Sequence, residues 1–190
     1  MHEPGVWRMA MKIKDEQGNT IPYKGLNQHQ YQELTTLINR CLETKPYVVI
    51  CIKGNKGTGK TTLAKYMRKY GFGPFRARDV AVIDDDCMSV DVLGIFRRKY
   101  YNPCNGVDEL APFFKYCKNK RIRCYVKANP ESRITSADIL IEVKADEQKR
   151  RQRLLQRYDR QRAQQVIEQS KHYTHQPRIA YQYELIAEID

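Results

Sequence analysis

Eight consecutive residues carry most of the chemistry open to this chain. Gly54-Asn55-Lys56-Gly57-Thr58-Gly59-Lys60-Thr61 reads G-x-x-x-x-G-K-T, a spacing suited to holding a row of phosphates. The glycines let the backbone curl until successive N–H groups point inward at phosphate oxygens. Lys60 can reach the β- and γ-phosphates, and the Thr61 hydroxyl can ligate magnesium. The motif needs a strand before it and a helix after it. The apolar run Tyr47-Val48-Val49-Ile50-Cys51-Ile52 precedes it, and Thr62-Leu63-Ala64-Lys65-Tyr66-Met67 continues it. The start of that helix brings partial positive charge to the same spot. The expected nucleotide-binding set is therefore Gly54, Asn55, Lys56, Gly57, Thr58, Gly59, Lys60, Thr61 and Thr62, with ATP and Mg2+ as ligands.

Two further groups could complete a reaction. Asp84-Asp85-Asp86 ends the apolar run of residues 79–83. In an extended segment Asp84 and Asp86 point one way and Asp85 the other. Asp84 joins Thr61 in the expected metal set. One of Asp84 and Asp86 would support magnesium, and the other would accept or orient the proton of an acceptor hydroxyl; which takes which role stays open. Residues 144–162 hold Lys144, Lys149, Arg150, Arg151, Arg153, Arg157, Arg160 and Arg162 against three acids. Arg153 and Arg157 are one helical turn apart and can face the same side. Guanidinium groups meet the equatorial oxygens of a moving phosphoryl group in paired hydrogen bonds. Arg160 and Arg162 follow where a mobile cover would begin, and a cover excludes water. The plain alternative for this run is a solvated helix face.

The elements that must position these residues can be read along the chain. Residues 7–25 suggest a small hairpin. Asn27 can cap a helix running to about residue 43, with Leu34, Leu37, Ile38, Cys41 and Leu42 on its core side. Strands are expected at 47–52, 79–83, 122–127, 137–143 and 183–189. Helices are expected after residue 61, over 90–100 and 107–118, and from 146 to 169 with a break near 158–162. Strands alternating with helices imply a parallel sheet covered on both faces. The fold class is thus α/β, a three-layer α/β/α arrangement of about five mainly parallel strands. Residues 1–45 form an N-terminal hairpin-and-helix extension, and residues 46–190 form the nucleotide-binding domain.

From residue 46 onward the chain resembles the nucleoside/nucleotide kinase-like group of P-loop kinases. Residues 137–160 are similar to the strand-plus-lid region of uridine kinases and dephospho-coenzyme A kinases. There a helix of the form R-L-x-x-R-D leads to lid arginines; here Arg153-Leu154-Leu155-Gln156-Arg157-Tyr158-Asp159 fills that place. The acidic triplet resembles the D-x-D or D-D of shikimate, adenylylsulfate and uridine kinases. The resemblance implies a P-loop NTPase fold, an arginine-bearing lid, and ATP-dependent phosphoryl transfer to a nucleoside, nucleotide or coenzyme precursor. The chain departs from many of these kinases in one place. They end the strand beside the P-loop strand in a carboxylate, whereas residues 122–127 here lead into Ala128-Asn129-Pro130, and the nearest acid is Glu131.

Bulk properties bound the alternatives. The 190 residues suffice for one domain with a sizeable core. No apolar run approaches the ~20 residues of a membrane span, and the first residues lack a secretory pattern, so a cytoplasmic location is expected. Six cysteines with no C-x-x-C pair read as small buried hydrophobes. His172 and His175 lack the companions of a metal set. A net charge of +12 favours anionic partners, nucleic acid among them. Two other functions therefore stand beside the kinase: a P-loop ATPase working on nucleic acid or in an assembly, and a nucleotide-binding regulatory protein.

Overall fold

The computed structural model describes residues 12–14, 20–22, 25–84, 89–92, 96–99, 117–170 and 178–189. Asp85, Asp86, Cys87, Cys104, His172, His175 and all but the end of the helix expected over 107–118 lie outside them. In chain order the elements are β1 (Lys12–Lys14), β2 (Thr20–Pro22), α1 (Gln28–Thr44), β3 (Val48–Lys53), α2 (Lys60–Tyr70), β4 (Val80–Asp84), β5 (Ser89–Val92) and β6 (Phe96–Lys99). Then come β7 (Ile122–Val126), β8 (Ile139–Lys144), α3 (Glu147–Arg157), α4 (Arg160–Ser170) and β9 (Tyr183–Glu188).

Five strands form one all-parallel sheet in the order β4-β7-β3-β8-β9. The central strands are mostly apolar because both of their faces are covered, with Arg123 in β7 and Glu142 in β8 among the exceptions. β7 is buried along its whole length, and β3 almost so. β9 lies at the edge and alternates instead: Leu185 and Ala187 face inward, and Glu184, Ile186 and Glu188 face out. Buried Asp138 helps set the register of β8 on β3. Its carboxylate accepts from the Val49 N–H at 2.8 Å and from the Lys45 ammonium.

Both helices α1 and α2 pack on one face of the sheet. Leu34, Ile38, Leu63 and Met67 meet Ile50, Ile52, Ile139 and Ile141 there, so the N-terminal helix is part of the main core. Burying each such side chain contributes about 1.5–3 kcal/mol. α1 starts at a capping box: Asn27 Oδ1 accepts from the Gln30 N–H at 2.9 Å, and the Gln30 side chain accepts from the Asn27 N–H at 3.0 Å. On the opposite face Cys51, Tyr125 and Leu140 are covered, among the described residues, by loop side chains such as Ile134 and Ile179. The hairpin expected near the N-terminus is present as the antiparallel pair β1–β2.

The helix expected over 90–100 is not formed. β5 and β6 pair antiparallel there, with Ser89 opposite Lys99 and Val92 opposite Phe96. Val90 and Val92 alternate with Ser89 and Asp91, which is a strand period carried by β-branched residues. The break expected near 158–162 is real. Tyr158 is extended (φ −129°, ψ 156°), and Asp159 Oδ1 caps the next helix by accepting from the Arg162 N–H at 2.8 Å. Cys41, Cys51, Cys117 and Cys124 are buried free thiols, as expected. Burial raises the Cys51 and Cys124 thiols, the latter to about 12, so they stay protonated and inert. Among the described residues no helix is long and apolar enough to cross a membrane.

Candidate active site

Because the strands run parallel, their carboxyl ends share one rim of the sheet. β3 opens there into the glycine loop, β4 ends there in Asp84, and β7 leads into Lys127. The loop winds about a single carbonyl. Asn55 O accepts from Thr58 Oγ1 at 2.9 Å, from the Thr58 N–H at 3.3 Å and from Lys60 Nζ at 2.9 Å. Gly54 and Gly59 are the positions that demand glycine most clearly. Gly54 has φ +144°, and a Cβ there would lie 2.3 Å from the Val143 carbonyl oxygen. Gly59 has φ +103° and forms the left-handed entry to α2, where no side chain caps the helix. The first-turn amides of α2 thus face the rim with their dipole and no competing side-chain acceptor at Gly59.

The basic helix α3 braces this loop from the side. Arg150 is only 4% exposed. Its Nε and Nη2 donate to the two Glu147 oxygens at 2.6 and 2.8 Å, and its Nη1 donates to Lys56 O at 3.1 Å. Arg153 Nη1 reaches Gly57 O at 3.4 Å, and Leu154 and Arg150 close on Gly57 itself. The Arg150 guanidinium, aided by Arg151, holds the Glu147 carboxyl down at about 2. α3 and α4 share a small core of Leu154, Ala163 and Val166, with Tyr158 and Ile167 packed on it. The pair is therefore a hairpin with its own apolar seam, docked on the glycine loop through its first helix.

Between loop, sheet rim and hairpin lies a cleft of about 520 Å³, within the size range of small-molecule sites. Lys56, Lys60, Thr61 and Thr62 line it from the loop and α2. Asp84, Lys127 and Asn129 line it from the sheet rim, Arg153 and Arg157 from α3, and Tyr158 from just beyond α3. Gln169 and Ser170 of α4 and Ile189 beyond β9 complete the wall. Residues far apart in sequence thus meet around one space: Lys60, Thr61, Asp84, Arg153 and Arg157 all face it. Gly54, Asn55 and Thr58 shape the loop from behind. Arg160 and Arg162 do not line the cleft; both are exposed in the first turn of α4, and Arg162 Nη1 donates to Gln165 Oε1 at 3.3 Å. Asp86 lies outside the described residues.

Register places Asp84 more closely. It pairs with Val126 of β7, which pairs with Ile52 of β3. Asp84 therefore stands two strand spacings, roughly 10 Å, from the loop strand. The nearer position belongs to Lys127, whose N–H donates to Ile52 O at 3.1 Å. Glu131 does not line the cleft; with its amide nitrogen toward that carboxylate, Asn129 donates to Oε2 at 2.8 Å. Among the described residues no group of three or more His, Cys, Asp or Glu side chains could hold a metal. Magnesium on a nucleotide needs fewer, since phosphates and water supply most of its six oxygens. The Thr61 hydroxyl suits that demand, and at its distance Asp84 would act through water.

Sequence reasoning passed over Lys127, Asn129 and the strut role of Arg150. The i,i+3 spacing of Glu147 and Arg150 was a visible signal for their pairing. No sequence signal told which arginines of the run would be buried. No protein-family model matches the chain, and no curated protein matches it.

Proposed function

We propose that this chain is an ATP-dependent phosphotransferase on a P-loop NTPase fold, moving the terminal phosphoryl group to a small acceptor. The observation that carries this reading is the shared cleft. A glycine loop with its lysine and threonine, a carboxylate and two arginines converge there from elements far apart in the chain. In this reading the N–H groups of residues 57–60 and the Lys60 ammonium hold the triphosphate. Thr61, with Asp84 through water, holds magnesium, which when bound offsets charge on the β- and γ-oxygens. Asp86, the other member of the pair, addresses the acceptor. Arg153 and Arg157 meet the transferred group, and the α3–α4 hairpin keeps water out.

The test is transfer of labelled γ-phosphate from ATP to nucleosides, nucleotides and coenzyme precursors, alongside equilibrium binding. Lys60→Ala should weaken triphosphate binding by about tenfold or more, a loss of about 1.4 kcal/mol. Asp84→Asn should keep binding and lose transfer. Wild-type affinity in Lys60→Ala would end the reading. One observation favours a second reading, an ATPase working on nucleic acid: Arg151, Arg157, Arg160 and Arg162 are exposed along the hairpin and could grip a phosphate backbone. Hydrolysis stimulated by DNA or RNA, with no small acceptor used, would select it.

A further inference from the structure

We infer that the rim of the sheet opposite the cleft binds the phosphate backbone of a nucleic acid. The cleft lies at the carboxyl ends of the strands. At their amino ends β4 and β7 start side by side, with Val80 opposite Ile122. About 13 Å of strand separates Val80 from Asp84 at the cleft. Three segments are knitted together at this far rim. α2 gives way at Gly71 to a tight turn, where a Cβ on Gly71 would lie 2.2 Å from the Phe75 carbonyl oxygen and 3.0 Å from the Ala77 nitrogen. The segment leading into β7 is tied to that turn. Lys120 Nζ donates to Arg78 O at 2.5 Å, and the Arg121 guanidinium lies 5.1 Å from the centre of the Phe75 ring. Arg68 in the last turn of α2, Arg76 and Arg78 in the turn, and Lys118 and Arg121 ahead of β7 are all exposed.

The charge of this surface is one-sided. Asp79 is the only acid from residue 60 to residue 79, and residues 117–127 contain none. Asp79 is engaged, since its Oδ2 accepts from the Arg76 N–H at 2.9 Å. Among the described residues no carboxylate pairs with any of the five cations. Farther along the rim, beside β8, the Asp138 carboxylate is matched by Lys45. A cation in the last turn of a helix offsets the helix dipole, which accounts for Arg68 but not for four cations on a turn and a strand entry. Clustered like charges repel, and a polyanion relieves that repulsion. Arginines dominate the cluster, and their planar forks meet phosphate oxygens in pairs. A membrane or an acidic protein would call for apolar anchors as well. This surface offers none among the described residues: Phe72 and Phe75 are buried, and the exposed large hydrophobic side chains, Leu155 and Ile186, belong to α3 and β9. Charge without apolar contact suits a nucleic-acid backbone held without reading its sequence. The surface needs no part of the cleft's chemistry, so it stands whether or not the chain transfers phosphoryl groups. It is also separate from the exposed arginines of the α3–α4 hairpin.

The test is fluorescence anisotropy with a labelled, mixed-sequence DNA of about 20 nucleotides, single-stranded and as its duplex, across about 50–300 mM KCl. Binding should be about 10 μM or tighter at about 100 mM salt. With about four phosphates neutralised, the logarithm of the duplex association constant should fall against the logarithm of salt with a slope of about −3.6. Arg76→Ala/Arg78→Ala keeps the backbone contacts of both residues. It should weaken binding about tenfold or more and flatten that slope by about 1.8. Lys118→Glu, on a separate segment, should also weaken binding about tenfold. Arg160→Ala/Arg162→Ala removes the same charge from the hairpin and should change affinity by less than about threefold. Matching Tm values exclude misfolding. A saturating non-hydrolysable ATP analogue should leave DNA affinity within about threefold, because the two sites are distinct. No binding at the lowest salt, equal losses in the two double variants, or displacement of DNA by the analogue would overturn the inference. So would vesicles of about 30% phosphatidylserine in phosphatidylcholine, or polyglutamate, captured as tightly as DNA with the same dependence on Arg76 and Arg78.

Discussion

Replacing Arg150 with alanine removes the strut that joins the basic helix to the glycine loop, and its cost can be built from the contacts. Two of its three hydrogen bonds go to Glu147, whose side chain is 53% exposed. That carboxylate recovers water when the arginine is gone, so the pair contributes only about 0.5–1 kcal/mol. The bond to the Lys56 carbonyl joins a charged donor to a loop acceptor and contributes about 1.5–3 kcal/mol. Two methylenes of the buried stem beyond Cβ add about 1.6 kcal/mol. Against this, a guanidinium no longer has to be held out of water, which returns part of the sum. The expected net loss is about 2–3 kcal/mol, read as a lower urea midpoint at unchanged slope. Because Lys56 O and Gly57 lose their brace, triphosphate affinity should fall by about tenfold as well. Arg150→Lys keeps stem and charge but loses the planar fork, and should cost about 1 kcal/mol. An Arg150→Ala protein within about 0.5 kcal/mol of wild type, with unaltered triphosphate affinity, would refute the strut.

Three further outcomes follow from the same geometry. Glu147 is held at about 2, first by its hydrogen bond from Arg150, against an ordinary value of 4.5. Its folded-state value is depressed, so its stabilisation is complete above 4.5 and is lost as pH falls through about 2. Urea midpoints taken across that window should drop more steeply in wild type than in Glu147→Gln, and parallel profiles would contradict the pairing. Gly54→Ala puts a methyl 2.3 Å from the Val143 carbonyl, whereas Gly59→Ala meets only Ile189 Cγ2 at 3.5 Å. Thermal melts should therefore show Gly54→Ala the worse of the two, with Gly59→Ala costing about 1–2 kcal/mol for its left-handed backbone. Tyr31→Phe removes the hydroxyl that accepts from the Gly73 N–H at 2.7 Å but keeps the ring, whose centroid lies 4.5 Å from that of Phe72, and should cost about 1–3 kcal/mol in chemical denaturation.

Local features were legible from the residues alone. The Asn27 cap, the strand–loop–helix around Lys60, the apolar runs of β3, β7 and β8 and the break at Tyr158 each depend on neighbours within a few positions, where propensity and capping act. The hairpin of β5 and β6 was misread because a short run with two valines fits a helix or a strand, and pairing with another segment tips the choice. The charge run from 144 to 162 shows the limit most clearly. Its arginines are alike in sequence, yet Arg150 is buried in a strut, Arg153 and Arg157 line the cleft, and Arg160 and Arg162 face solvent. Which side of a helix is covered depends on what packs against it, and that partner, the glycine loop, lies almost a hundred residues earlier.

Composition and short-range spacing, then, were enough to declare an α/β chain with a glycine-rich loop between a strand and a helix. Tertiary structure alone decided that β7 separates β3 from β4, and so that Lys127 stands nearer the loop strand than Asp84 does. Parallel neighbours in a sheet are joined by long crossovers, so lateral order is set by how buried faces pack together, and adjacency along the chain carries no record of it.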